Sequence, residues 1–180
     1  MKKPFVLRLD PKAFSRLKSE AKRNDQSINA FCVELIERGL SPNPGALNPV
    51  AKEISNHYKD KLLGLVLFGS VARGTQRPSS DVDLLLILSD SVPIQGKLYR
   101  EWDLFTEQLK FEKYSPHFVH LPKDTQNVGS LWLEVALEGR VWIDKESKVE
   151  KQLSEIRQLI AEGVFERSYV YGVPYWKKVA

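Results

Sequence analysis

Two apolar runs that lie close together, Leu62–Phe68 and residues 84–88, constrain this chain more than any other feature of its sequence. The polar segment between them opens on Gly69-Ser70 and closes on Asp81-Val82-Asp83. Apolar runs of this length bounded by turn formers predict strands buried on both faces. Side chains alternate along a strand, so Asp81 and Asp83 share one side and Val82 points into the core. The two carboxylates are then about 7 Å apart along the strand. Paired at the start of a buried strand they repel each other unless a cation lies between them. Hard oxygen ligands suit Mg²⁺, or Mn²⁺ in its place, and such an ion also holds triphosphate oxygens.

Gly69 and Ser70 supply the other half of the site. A glycine lets the backbone approach a phosphate closely, and the turn after it presents amides and the Ser70 hydroxyl to an anion. Arg73 adds a phosphate contact in one reading and is an exposed loop arginine in the other. A metal on one side and amides on the other would neutralise charge at phosphorus. The stretch Gly69-Ser70-Val71-Ala72-Arg73-Gly74 through Ser80-Asp81-Val82-Asp83-Leu84 resembles the signature of the DNA polymerase β nucleotidyltransferase superfamily. More narrowly, residues 50–145 are similar to the minimal nucleotidyltransferases of prokaryotes.

That resemblance implies an α+β or α/β fold, a mixed sheet flanked by helices. It implies an NTP as substrate, with Gly69, Ser70 and Arg73 on the nucleotide and Asp81 and Asp83 as catalytic metal ligands. The reaction it implies moves a nucleoside monophosphate to an acceptor hydroxyl. Many members add a third carboxylate on a neighbouring strand. The corresponding strand here, residues 115–121, has no acidic residue. His117 is a candidate base in its place, since histidine titrates in the right range, and a partly exposed strand histidine is the other reading. His120 lies three positions on, hence on the opposite face, so the pair is not a metal site. Glu112 and Asp124 flank this strand as further carboxylates.

The charge of +4 is unevenly placed: residues 1–45 hold nine Lys and Arg against five Asp and Glu, and residues 46–180 hold eighteen of each. A basic N-terminal module that could meet a polyanion therefore precedes a neutral one. Residues 4–9 read as a strand, with Phe5, Leu7 and Leu9 inward and Pro4, Val6 and Arg8 outward. Asp10-Pro11 starts a helix on which Phe14, Leu17 and Ala21 share a face. Asn24-Asp25-Gln26 breaks it, Ser27 caps a second helix, and Ile28, Phe31, Cys32, Leu35 and Ile36 form an apolar stripe that ends near Gly39. A strand and two helices cannot close a core alone, so this piece must dimerise or lean on a neighbour.

The order resembles the ribbon-helix-helix DNA-binding family over residues 3–40. In that family two chains pair their strands in the major groove and the start of the second helix grips a phosphate. Here the resemblance gives DNA-binding roles to Arg8, Ser27 and Ile28. Of the three outward residues only Arg8 reads base edges well.

Residues 41–48 are rich in turn formers and read as a linker. Residues 49–180 form the second domain: a helix from Pro49 to about Asp60, then the site strands. A helix over 128–138, a strand over 141–143 with Gly139 as helix stop, and a helix over 148–161 follow. The aromatic tail, residues 169–176, packs on its own domain or stacks on a base or partner. The single cysteine, Cys32, allows no intrachain disulfide and reads as core.

No apolar run reaches the roughly 18 to 20 residues that a membrane span needs, and no signal core follows the N-terminus, so a cytoplasmic protein without membrane contact is expected. Together the two resemblances imply a role in a toxin–antitoxin system, with a homodimer that binds DNA and an acceptor hydroxyl on a partner protein from the same operon, on a small molecule or on an RNA end. The alternative is a catalytically weak or inactive nucleotide-sensing DNA-binding regulator.

Overall fold

The computed structural model describes residues 6–23, 26–40, 49–77, 79–109, 113–170 and 173–179, and the chain divides into two compact units, Met1–Pro42 and Asn43–Ala180. In the first unit, helix α1 spans Pro11–Arg23 and helix α2 spans Ile28–Leu40. Both start as their caps dictate. The Asp10 carboxylate accepts from the Ala13 amide at 2.9 Å, and the Ser27 hydroxyl accepts from the Ala30 amide at 3.1 Å. Asn24, Asp25 and the linker 41–48 lie outside the described residues.

The expected strand over 4–9 is not formed in its described part: residues 6–10 carry no regular structure, and Pro4 and Phe5 lie outside the described residues. A lone strand has no neighbour to complete its hydrogen-bond ladder, and one chain supplies none here. Arg8 is exposed in this segment. Leu7 and Leu9, expected inward, are exposed, as are Phe14, Leu35 and Ile36 on the helices. Cys32 is half-buried and not in a core. Two short helices enclose too little surface to bury it.

The second unit is a mixed four-stranded sheet in the order β3-β2-β1-β4, flanked by helices. After helix α3 (Pro49–Tyr58) come β1 (Leu62–Phe68), a short helix α4 (Gly69–Arg73) and β2 (Val82–Leu88). Helix α5 (Gly96–Leu109) leads to β3 (Tyr114–His120), then follow α6 (Ser130–Glu138), β4 (Arg140–Asp144) and α7 (Lys148–Glu162). Strand β1 runs antiparallel to β2 and β4, and β2 runs parallel to β3 through the α5 crossover.

Alternation sorts the core into two layers. Leu65, Leu67, Leu84, Leu86 and Leu88 face α3 and α5, where Ile54, Tyr58 and Trp102 are buried. Val66, Leu85 and Ile87 face α6 and α7, where Leu133, Leu153 and Ile156 are buried. Each of these aliphatic side chains, withdrawn from water, contributes about 2 kcal/mol. The chain ends in a hairpin, β5 (Phe165–Val170) and β6 (Val173–Lys178), in which Arg167 pairs with Trp176. Trp176 joins the α6/α7 layer, so this part of the aromatic tail packs on its own domain. No helix among the described residues is long and apolar enough to cross a membrane.

Candidate functional site at the Gly69 turn

Strand β1 delivers the chain to Gly69, whose φ of +73° lies in the left-handed region that a side chain resists. The expected tight turn is the first turn of α4, which Gly74 closes in the same backbone region. Ser70 is its second residue, and its carbonyl accepts from the Thr75 amide at 2.9 Å. In the β1–β2 register Phe68 stands opposite Asp83, which carries the Asp83 carboxylate against the glycine. A Cβ on residue 69 would overlap Asp83 Oδ2. Glycine is thus required twice, once for the backbone and once for the carboxylate beside it.

Gly69→Ala is expected to cost about 1 kcal/mol in backbone strain before any displacement of Asp83. Thermal unfolding should show a midpoint several degrees lower. An unchanged midpoint would mean the left-handed turn is not held.

Asp83 lies in β2 with its side chain 32% exposed, and Asp81 is exposed just before the strand begins. Val82 between them packs against the α3/α5 core, on the far side from Asp83. Among the described residues, neither aspartate is paired with a lysine or arginine. His117 Nε2 stands 3.8 Å from Asp83 Oδ1, and its ring meets Phe68 edge-on at 5.0 Å between centroids. His120 lies on the opposite face, where its Nε2 donates to the Val92 carbonyl at 2.9 Å.

Of the two other candidate carboxylates, the structure describes only Asp124. Asp124 caps the turn Thr125–Asn127: the Gln126 amide and the Asn127 side chain hold its carboxyl below the ordinary range. Glu112 lies outside the described residues. Among the described residues no cluster of three or more His, Cys, Asp or Glu of metal-holding geometry occurs. The donor chemistry present, two carboxylates without a lysine or arginine partner among the described residues and beside a backbone that admits close approach, fits a hard divalent cation.

Arg73 is not a free loop arginine. Its Nη1 donates to Glu138 Oε2 at 2.8 Å. Glu138 also accepts from Arg167 Nη1 at 2.9 Å, and Arg167 Nη2 donates to Glu134 Oε2 at 2.7 Å. Trp176 Nε1 donates to Glu134 Oε1 at 2.8 Å. Burial works against the Arg167 charge, but Glu138 and Glu134 outweigh it and raise its pKa. These side chains, with Phe68, Gly69 and Leu131, line a cavity of about 480 Å³ beside the turn. Glu134, Glu138 and Arg167 lie far from the Gly69 turn in the chain, and the motif around that turn does not point to them. Two acidic residues four apart on an otherwise apolar helix are the signal that could have found the first two.

Residues 47–128 match the model of a family described as the nucleotidyltransferase domain, a stretch that includes β1, the Gly69 turn, both aspartates and β3. Spectinomycin 9-adenylyltransferase of Enterococcus faecalis is 35% identical over 51 residues, 28% of this chain and 20% of that protein. A chain of Methanocaldococcus jannaschii, named provisionally as a protein adenylyltransferase, is 44% identical over 46 residues, 26% of this chain and 46% of that one. The match therefore spans less than half the length of either curated relative.

Among solved structures, a toxin–antitoxin complex with AMP-PNP is similar at a TM-score of 0.40 and 24% identity, covering 62% of this chain and 90% of that one. A complex of tri-AMPylated Shewanella oneidensis HEPN toxin with MNT antitoxin gives 0.39 at 19% identity, covering 66% and 91%.

Proposed function

We propose that the stretch matching the nucleotidyltransferase model works as such a domain and transfers a nucleoside monophosphate from an NTP to an acceptor hydroxyl, with Mg²⁺ held by Asp81 and Asp83. One observation carries the reading: the Asp83 carboxylate is seated against a left-handed Gly69 turn, with Asp81 two residues away and neither paired with a lysine or arginine among the described residues. A bound Mg²⁺ would supply charge neutralisation at the triphosphate. The chain's own residues do the rest. The Gly69-Ser70 turn receives the phosphates, and the two aspartates would hold the cation beside them. His117, 3.8 Å from Asp83, is the candidate base for the acceptor's proton. ATP is the nucleotide to test first, since both curated relatives are named as adenylyltransferases.

Labelled ATP, Mg²⁺ and cell lysate, fractionated into protein, RNA and small molecules, test this reading. Label in one fraction, lost with Asp81→Asn and Asp83→Asn, supports it. A partner protein from the same operon is the acceptor that the toxin–antitoxin resemblance implies.

The second reading is a nucleotide-sensing regulator without turnover, favoured by the lack of a third acidic group beside the aspartates among the described residues. Nucleotide binding with no label in any fraction would support it.

For residues 1–40 the proposal is a ribbon-helix-helix unit that homodimerises and binds DNA. The order of α1 and α2, the Ser27 cap, exposed Leu7 and Leu9, and the basic surplus support it. Arg8→Ala is expected to weaken a mobility shift on upstream DNA and to lower the log–log salt slope by about 1. An unchanged shift would remove Arg8 from the interface.

A further inference from the structure

We infer that Glu138 is a positioning residue for the nucleotide: it holds Arg73 at the edge of the cavity as a fixed phosphate ligand. The inference rests on the proposed nucleotidyl transfer and assigns a task to side chains that lie far apart in the chain. Glu138 is only 13% exposed, and its two oxygens are divided between two arginines, Oε2 to Arg73 and Oε1 to Arg167. A largely buried carboxylate divided between two guanidinium groups is held from both sides by charge-assisted hydrogen bonds. Arg73 has one nitrogen in that grip and is otherwise 40% exposed, with no further partner among the described residues.

A guanidinium has five donors. One is used by Glu138, so the others remain for an anion in the cavity that Arg73, Phe68 and Gly69 line. Arg73 is also the last residue of the short helix that begins at Gly69 and Ser70, so it belongs to the element proposed to receive the phosphates.

The stability reading of this ion pair is weak. Partly exposed pairs contribute little to folding, so holding Arg73 would have little structural value. Its value lies in ordering: a free arginine side chain loses considerable rotamer freedom when it binds phosphate, and one already held does not. Loss of Glu138 should therefore weaken nucleotide binding through Arg73 and leave the chemical step nearly untouched.

A double-mutant cycle on the full chain tests this, with Kd for a non-hydrolysable ATP analogue plus Mg²⁺ and KM and kcat for transfer. Glu138→Gln is expected to raise Kd and KM about threefold to tenfold, with kcat within about twofold. Arg73→Ala should raise Kd at least as much, and Glu138→Gln should add nothing in the Arg73→Ala background. Unchanged affinity in Glu138→Gln, or penalties that multiply in the double variant, would overturn the inference. If Glu138→Gln fails to fold, Arg73→Ala decides: unchanged nucleotide affinity there overturns it. A wild-type chain that neither binds nor transfers nucleotide would sink the enzymatic reading first, and this inference with it. Normal wild-type transfer with additive variants would sink this inference alone.

Discussion

Asp83→Asn should reduce nucleotidyl transfer by about a thousandfold or more while leaving the fold intact. Asparagine has nearly the shape of aspartate, so it still fits the gap beside Gly69 where a Cβ would not. What it lacks is the charge and one oxygen ligand. A divalent cation held by two carboxylates would then be held by one. Asp81→Asn should lose transfer similarly, although Asp81 lies just outside β2 and is more exposed. Neither change removes an ion pair with a lysine or arginine among the described residues, so neither should lower the unfolding midpoint. Removing one of two neighbouring like charges should leave it unchanged or slightly higher. Transfer within tenfold of wild type in both variants, at normal stability, would remove the two aspartates from the chemistry.

The parts of this site that lie close in sequence are legible from the residues. The run Leu62–Phe68 is β1 as read, and the second apolar run, with Val82 and Asp83 leading into it, is β2. Helix starts at Asp10 and Ser27 follow from side-chain acceptors placed before apolar periodicity, and they form. All of these are local decisions. The strand over 4–9 is not local, because its hydrogen bonds would have to come from another strand. Helix α5 escapes a search for apolar runs. Its signal is the helical spacing of Leu98, Trp102 and Phe105, which the structure buries on one face. The carboxylate that holds Arg73 lies 65 residues further along the chain. No spacing rule predicts that meeting; it follows only once α6 is laid across the sheet.

Arg167→Ala is expected to destabilise the second unit by about 3 kcal/mol, near the cost of breaking a buried ion pair from one side. Arg167 is 17% exposed, and it donates to Glu138 and Glu134 with separate nitrogens. Its guanidinium also lies over the rings of Tyr169 and Trp176, at 5.8 and 6.0 Å from their centroids. Truncation leaves two carboxylates in a poorly hydrated place, each with one remaining partner: Arg73 for Glu138 and the Trp176 indole for Glu134. Those partners keep the loss below the extreme. They do not replace a cation that bridges both acids and ties β5 to α6. Urea unfolding should show the change in midpoint with an unaltered slope, and heating should lower the melting temperature by about 5 to 10 °C. Neutralising the acids together with the arginine, as Glu134→Gln, Glu138→Gln and Arg167→Met in one chain, should recover much of the loss, since no unpaired charge then remains buried. The single variant losing less than about 1 kcal/mol would mean that apolar contacts such as Phe165 and Trp176 hold the hairpin on their own. The triple variant recovering stability but not nucleotide affinity would separate the two tasks of this cluster: Arg167 fastens the hairpin, and Glu138 sets Arg73.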